Sequence, residues 1–496
     1  MVWNRRGKRV ATTVLVMAVS IAMLTMSGGA AASASARGTT TFSLAAGSHH
    51  HTIVVYPNGH DDTANLQTAF STCTSQGWTC TVQLVRGTYY TEQLAVFGFH
   101  GTFVGAGQGS TIVQGLPNLA SPTATPFWAA PPGPSNPWPV LFTFVNGTFA
   151  ISDMTVMDTN MYPTQGWEDP GVGTVTALWS WITVTGTVAN LSVDHLTAIG
   201  GAGDQTIPVG NPDSFNSLYG ITFEGLLLPA TWTDPNADQV PLTGMFAMTS
   251  SVLIGSEGAF YFHNLLDATV LVTSSSIEST PLPGFVDVSN SQLYFIGNTF
   301  TNIMLGAAII GEQSVFKLDL LPSMVYVIGN SIAANWDGSG PYFFDFGVPS
   351  TLSAVITGNT VVSDNSCGCY SWQTSVVMGG MSLESLLVKG NTILGGGSGV
   401  DISIGPGTAI GNTVIGADVG VMVDGAIGAL VQGNVVKNSG TWGIAVQTVL
   451  GVPSDNHIIG NWIANSGAYD LYWDGTGQGN VWTDNFCTTS SPPGLC

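Results

Sequence analysis

Gly411-Asn412-Thr413-Val414-Ile415-Gly416 opens a stretch that passes through Gly420-Val421-Met422-Val423-Asp424 and closes on Gly433-Asn434-Val435-Val436-Lys437. Both ends carry one signature, Gly-Asn with an apolar residue two places after the Asn. The pair also stands at Gly297-Asn298, Gly329-Asn330, Gly358-Asn359, Gly390-Asn391, Gly460-Asn461 and Gly479-Asn480. The eight copies are separated by 32, 29, 32, 21, 22, 27 and 19 residues. The apolar follower is Phe300, Ile332, Val361, Ile393, Val414, Val436, Ile463 or Trp482. A fixed motif at a drifting interval is the pattern of a solenoid whose turns are constant while its loops vary.

The runs between the pairs are short and β-rich, as in Gly443-Ile444-Ala445-Val446-Gln447, and no stretch keeps a helical period. Gly is abundant at 63 residues and charged residues make up only 8%. Short strands without helices between them fit parallel coils stacked about 4.8 Å apart. Asn suits a repeated corner because its amide can bond backbone and because it tolerates the left-handed region. Identical Asn residues on successive coils can also bond one another. The eight Asn are therefore expected to be structural and to stack on one corner.

The N-terminal part adds a second signal. His60-Asp61-Asp62-Thr63-Ala64-Asn65-Leu66-Gln67-Thr68-Ala69-Phe70 precedes Val82-Gln83-Leu84-Val85-Arg86-Gly87-Thr88-Tyr89-Tyr90, and Gly101-Thr102-Phe103-Val104-Gly105-Ala106-Gly107-Gln108-Gly109-Ser110-Thr111-Ile112 follows. This resembles the opening of the pectate-lyase-like superfamily over roughly residues 53–113. The resemblance implies a D-D-T segment starting a helix that plugs the N-terminal end, then a P-x-G-T-Y strand and a G-x-G-x-x-T-I turn in the first coil. Arg86 departs from it, standing where that family usually has Ala or Pro. The expected fold is all-β, a single-stranded right-handed parallel β-helix with a short N-terminal capping helix. The superfamily hosts lyases, glycosidases, epimerases, tailspikes and adhesins, so the fold alone does not choose a chemistry.

Arg5, Arg6, Lys8 and Arg9 precede an apolar run from Val10 to Met26 and then Ala34-Ser35-Ala36. That order reads as a secretory signal over 1–36, by a general or a twin-arginine route. A flexible segment is expected over 37–52 and a β-helix over 53–496. Within the helix, 53–113 is read as N-terminal cap, 114–250 as loop-rich coils, 251–480 as regular coils and 481–496 as C-terminal cap. Losing the signal would take the net charge from −21 to −25, because it holds four of the nine basic residues and none of the 30 acids. Such a surface repels nucleic acid and anionic membranes. It repels polyuronates too unless a cation bridges them. No segment after the signal has the length and apolarity of a membrane span. The expected location is extracellular.

The six cysteines suit an oxidising compartment and fall as close pairs, Cys73/Cys80, Cys367/Cys369 and Cys487/Cys496. Six cysteines allow fifteen pairings, so spacing alone does not prove local bridges. Cys73–Cys80 and Cys487–Cys496 are the expected disulfides. Cys367 and Cys369 are left as either a bridge or two thiols. No Cys/His cluster has zinc spacing, and His49-His50-His51 is read as a solvated stretch.

Strand alternation gives the candidate site. If Ile221 and Phe223 point inward, Thr222 and Glu224 point outward. The same parity sends out Tyr261, His263, Asp287, Asp345, Asp401, Asp424 and Asp474. Such a series is either the ordinary polar exterior of a strand face or a carboxylate-lined groove. Stacked carboxylates repel one another, which raises some of their pKa values. A carboxylate so raised can act as a general acid, and the set could hold a hard cation such as calcium through oxygen ligands. No cofactor is otherwise called for. Glu224 is read as general acid, Asp287 as base and His263 as the residue that orients substrate or water. Asp213, Trp232, Tyr261 and Asp345 are read as substrate contacts. The polygalacturonase-type G-H-G and R-x-K elements are absent from the mature sequence, and few basic residues remain to serve a lyase. The expected partner is an extracellular polysaccharide or other glycan. Three roles stay open: a glycoside hydrolase, a non-catalytic binding or adhesion protein, and a lyase or epimerase.

Overall fold

The computed structural model describes residues 50–92, 94–116, 140–157, 180–200, 219–225, 240–255, 258–278, 284–307, 310–313, 321–339, 342–345, 351–363, 378–379 and 383–496. They form a right-handed parallel β-helix of three sheets. Sheet 1 runs from His50–Val55 and Thr79–Leu84 to His457–Ile459 and Val481–Thr483. Sheet 2 runs from Gly87–Thr91 and Thr111–Gly115 to Trp462–Ala464. Sheet 3 ends on Tyr469–Trp473 and Ser490–Ser491. In the long strands Val140–Met157 and Ser180–Ile199 the chain bends through both corners, so one strand serves all three sheets. Inward residues form one continuous core, rich in Phe at the N-terminal end and in Val and Ile at the other.

One helix, α1 (Thr63–Ser75), closes the N-terminal end. It buries Leu66, Ala69, Phe70 and Cys73, and Phe70 meets Phe103, Phe99 and Phe144 at 5.1, 5.2 and 5.8 Å between ring centroids. Its two leading acids have separate tasks. Asp61 accepts the Thr63 amide at 2.9 Å, which satisfies a free donor of the first turn. Buried Asp62 accepts the Asn58 and Tyr90 amides at 2.8 and 3.2 Å and ties the helix to the neighbouring strand. The first strand, His50–Val55, begins inside the segment expected to be flexible, because it pairs with Thr79–Leu84. His51 there is not simply solvated, since it stacks on Trp78 at 3.7 Å.

The Asn ladder is present between sheets 1 and 2. Asn298, Asn330, Asn359, Asn391, Asn412, Asn434 and Asn461 are all at most 1% exposed. Each Oδ1 from Asn330 onward accepts the backbone N–H and the Nδ2–H of the preceding Asn, as Asn412 does for Asn391 at 3.0 and 3.0 Å. Each Nδ2 also donates to a sheet 1 carbonyl, as Asn412 does to Val388 at 3.0 Å. Gly411 takes φ 62 with open space around an added Cβ, so conformation rather than crowding calls for Gly there.

The ladder departs from expectation at both ends. Its last member is Asn485, which accepts from Asn461 at 3.1 and 3.0 Å, with Asp484 (φ 54) in the place of Gly. Asn480 lies on a different corner, where it accepts from Asn456 and leads into sheet 1. Toward the N-terminus Ser275 and Ser251 continue the ladder. The Ser275 amide donates to Asn298 at 3.0 Å and the Ser251 amide to Ser275 at 3.2 Å. A shorter hydroxyl can play the part of Asn because it too accepts a neighbour's N–H.

The structure holds disulfides Cys73–Cys80 and Cys487–Cys496, with Cα separations of 5.8 and 5.3 Å. The first ties α1 to sheet 1. The second folds the tail over the last coil, where buried Leu495 closes the core. Peptide mapping without reduction is expected to recover both cross-linked pairs, and free thiols at either pair would contradict the pairing. Cys367 and Cys369 lie outside the described residues, as do most of the long connections of the loop-rich coils. Among the described residues no helix is long and apolar enough to cross a membrane.

Candidate functional site

Two columns of residues run along the outward parity of sheet 3. Inward parity is fixed by Ile182, Val184, Ile221, Phe223, Phe260 and Phe262, all buried in the core. Between them the first column passes through Thr143, Thr183, Thr222 and Tyr261. The second passes through Val145, Thr185, Glu224 and His263. Glu224 and His263 are thus register partners on adjacent rungs.

Beyond His263 the register slips by one residue. Phe262 pairs with Val286 and Leu265 with Val288, so His263 and Asn264 together oppose Asp287. Asn264 takes φ 53. Such a bulge bends the strand and re-aims the residues beside it. Asp287 in turn pairs with Glu312. Four residues able to hold or accept a proton therefore follow one another on four rungs: Glu224, His263, Asp287 and Glu312. The column then ends on Phe344, the partner of Glu312. Asp345 pairs with Gln313 instead, one position outside the column, so it does not join the group as strand parity suggested. Asp213 and Trp232 lie outside the described residues.

The outer face here is covered rather than open. Thr183, Thr185 and Thr222 are fully buried although they carry outward parity. Thr183 and Thr222 satisfy each other through a 2.6 Å hydroxyl contact. Thr185 Oγ1 and Trp181 Nε1, both buried, have no hydrogen-bond partner among the described residues. Leaving such a group unsatisfied costs about 1–3 kcal/mol, and a bound water or ligand removes that cost.

His263 keeps partial surface exposure, yet the protein packed around it lowers its pKa to about 4. Desolvation of the cation is the cause. The ring is therefore neutral at ordinary pH, offering one donor and one acceptor. Tyr261 stacks on it at 5.3 Å and 15°.

Further along sheet 3 the acids serve other ends. Asp401 and Asp424, expected on an open face, are 3% and 4% exposed. Asp424 accepts the Val449 and Leu450 amides at 2.8 and 2.9 Å and so fixes a loop. Asp401 accepts the Ser403 hydroxyl at 2.7 Å. Burial pushes its pKa up to about 7, with the Asp424 charge adding to the rise and the Ser403 bond opposing it. Burial also pushes Asp474 upward, but hydrogen bonds from Thr476 and Thr448 outweigh it and hold that carboxyl below its ordinary value.

Asp401 thus binds its proton more tightly folded than unfolded. Its stabilisation is complete below about pH 4 and is lost as pH rises toward about 7. His263 works in the opposite sense, losing stability as pH falls from about 6.5 toward about 4. Asp401→Asn is expected to remove the first component alone. In thermal melts from pH 4 to 8 the variant should gain on wild type as pH rises. Parallel curves would contradict the assignment.

Sequence reasoning missed Glu312, Thr185 and Trp181. Glu312 stands in Gly311-Glu312-Gln313, without the flanking valines that mark the strand around Asp287. Nothing in the sequence marks Thr185 or Trp181, because their interest comes from burial.

Comparison with known proteins adds a partial match. The family described as periplasmic copper-binding protein (NosD) matches residues 347–491. No curated protein matches over the chain. Among solved structures, the Azotobacter vinelandii mannuronan C-5 epimerase AlgE4 A-module is similar at 13% identity, covering 90% of this chain and 100% of its own, with a TM-score of 0.39. The GH87 α-1,3-glucanase catalytic unit of Streptomyces thermodiastaticus is similar at 14% identity, covering 88% and 67%, with a TM-score of 0.40. The periplasmic alginate epimerase AlgG is similar at 11% identity, covering 83% and 77%, with a TM-score of 0.33.

The described residues of the matched segment offer few copper ligands, and Cys367 and Cys369, which also fall in it, lie outside them. The matched segment has a single histidine, His457, and Cys487 is spent in a disulfide. Among the described residues no three His, Cys, Asp or Glu side chains gather as a ligand set.

Proposed function

We propose that the protein is an extracytoplasmic member of the pectate-lyase-like superfamily that acts on polysaccharide as a glycoside hydrolase. One observation carries the reading: Glu224, His263 and Asp287 follow one another in the register of sheet 3, across a bulge. Glu224 and Asp287 are two rungs apart, roughly 9.6 Å at backbone level. That lies close to the separation at which a water fits between a carboxylate and the sugar, as inversion requires. Glu224 protonates the glycosidic oxygen of the leaving sugar. Asp287 takes a proton from the water that attacks the anomeric carbon from the other side. Neutral His263 orients that water or a sugar hydroxyl without adding charge. Asp213, Trp232 and Tyr261 are proposed to contact the substrate.

Two disulfides, the N-terminal basic-then-apolar pattern and a partial match to a family described as periplasmic support a place outside the cytoplasm. The test is incubation with a panel of neutral and acidic polysaccharides, reading new reducing ends and unsaturated-uronate absorbance. New reducing ends without the absorbance support hydrolysis. Absorbance indicates a lyase instead. Binding without any product indicates an adhesion role.

A further inference from the structure

The last coils carry a second cluster that the proposed catalytic column does not use. Trp442 and Tyr472 stack with ring centroids 4.5 Å apart and planes 7° from parallel. Tyr469 continues the series 6.5 Å from Tyr472 at 20°. Tyr469 is 39% exposed, and the other two are half-buried. These rings are not caps. Trp473 and Trp482 pack against the core at the C-terminal end, whereas Trp442, Tyr469 and Tyr472 stand outside it. Beside them is an exposed hydroxyl–carboxylate pair, Thr441 donating to Asp418 at 2.7 Å.

Register puts this cluster on the same outer face as the candidate site. The column of Tyr261 continues through Phe285, Ile310, Tyr342, Met378, Asp401, Met422 and Ala445 to Tyr472. That is about eight rungs, or roughly 38 Å. Buried Asp401 and Asp424 lie between the two places, so the cluster is a separate surface.

We propose that Trp442, Tyr469 and Tyr472 form a non-catalytic binding site for a neutral polysaccharide chain. A ring face not taken up by its neighbour receives the apolar C–H face of a sugar ring, and a flanking carboxylate receives hydroxyl donors. Charge selects the neutral class. No Lys or Arg stands on any described strand of sheet 3, and the chain carries a net −21. A polyanion would meet repulsion with no compensating ion pair. The site shares with the proposed function only the premise that the ligand is a polysaccharide, and it requires no cleavage.

The test is affinity electrophoresis of the whole protein in native gels containing a soluble β-glucan, an α-glucan, a xylan or a galactomannan, with alginate and polygalacturonate as anionic controls. Wild type is expected to be retarded by at least one neutral polymer and by neither anionic one. Trp442→Ala with Tyr472→Ala is expected to weaken that retardation at least tenfold, Trp442→Phe much less, and Glu224→Gln not at all. Should the double variant lose its melting transition, Tyr472→Ala alone and shielding of tryptophan fluorescence from acrylamide in wild type take its place. Unchanged retardation in the aromatic variants overturns the site while leaving the column at Glu224 untouched. Absence of retardation in every neutral polymer overturns it as well. So does a concentration-dependent dimer that disappears with Trp442→Ala, which would assign the cluster to a second copy of the chain. Loss of retardation in Glu224→Gln would instead move the binding to the catalytic column.

Discussion

Replacing Asn412 by Leu is expected to destabilise the protein by about 3–5 kcal/mol. The side chain is fully buried and has no freedom to leave. Leucine would strip the acceptor from both the backbone and side-chain donors of Asn391. It would also orphan the Val388 carbonyl and one bond to Asn434. Each loss strands a buried polar group in a dry corner, and the errors add because water cannot reach them. Asn412→Ser should cost clearly less, since Ser251 and Ser275 hold the same place natively and still accept a neighbour's amide. The check is a pair of denaturant titrations. Equal midpoints for wild type and Asn412→Leu would dispose of the ladder as a source of stability.

Glu224→Gln is expected to lower polysaccharide cleavage by about 10²–10⁴-fold, with folding and glycan binding retained. The amide keeps the shape of the acid but has no proton of suitable acidity to give the leaving oxygen. The loss should be smaller on a substrate whose leaving group needs no protonation, such as a nitrophenyl glycoside. Asp287→Asn should be equally slow on both substrates, because it removes the base rather than the acid. A uniform loss for both variants on both substrates would contradict the division of roles. His263→Asn is expected to reduce turnover less than either. It should leave the acid limb of the pH profile in place, since a ring that titrates near pH 4 is neutral throughout the working range.

Much of the fold was legible because the corner chemistry is written in residues with few other uses. Gly-Asn at Gly411-Asn412 combines a left-handed turn with an amide that bonds along the stack, and both demands survive in the sequence as a pair. Where other residues meet the same demands the signal fades. Ser250-Ser251 and Ser274-Ser275 are equivalent corners with φ 50 and 49 at the first serine, yet serine pairs are too common to be noticed. The reverse error occurs at Gly479-Asn480, where the right pair stands on a different corner. A dipeptide states a turn geometry and cannot state which of three corners it serves.

The candidate site was legible only in part, for the reason that parity is reliable within a strand and fragile across a bulge. Glu224 and His263 could be aligned because Ile221, Phe223, Phe260 and Phe262 alternate cleanly. Asp345 falls one position off the column at Glu312, because the count from strand to strand runs through loops of variable length. Outward parity does not guarantee exposure, as buried Thr183 and Thr185 show. Asp424 is covered by the loop at Val449 and Leu450, whose amides it accepts. No local pattern encodes that cover.

The most direct test of the central claim is proton NMR of the first sugar anomer released when wild-type protein is added to a neutral polysaccharide that it cleaves. Carboxylates two rungs apart leave room for water, so the account predicts that the newly formed reducing end appears first in the anomeric configuration opposite to that of the cleaved bond. It predicts that this signal is absent with Glu224→Gln and with Asp287→Asn. Release with retained configuration, an unsaturated product, or undiminished release by either variant would contradict it.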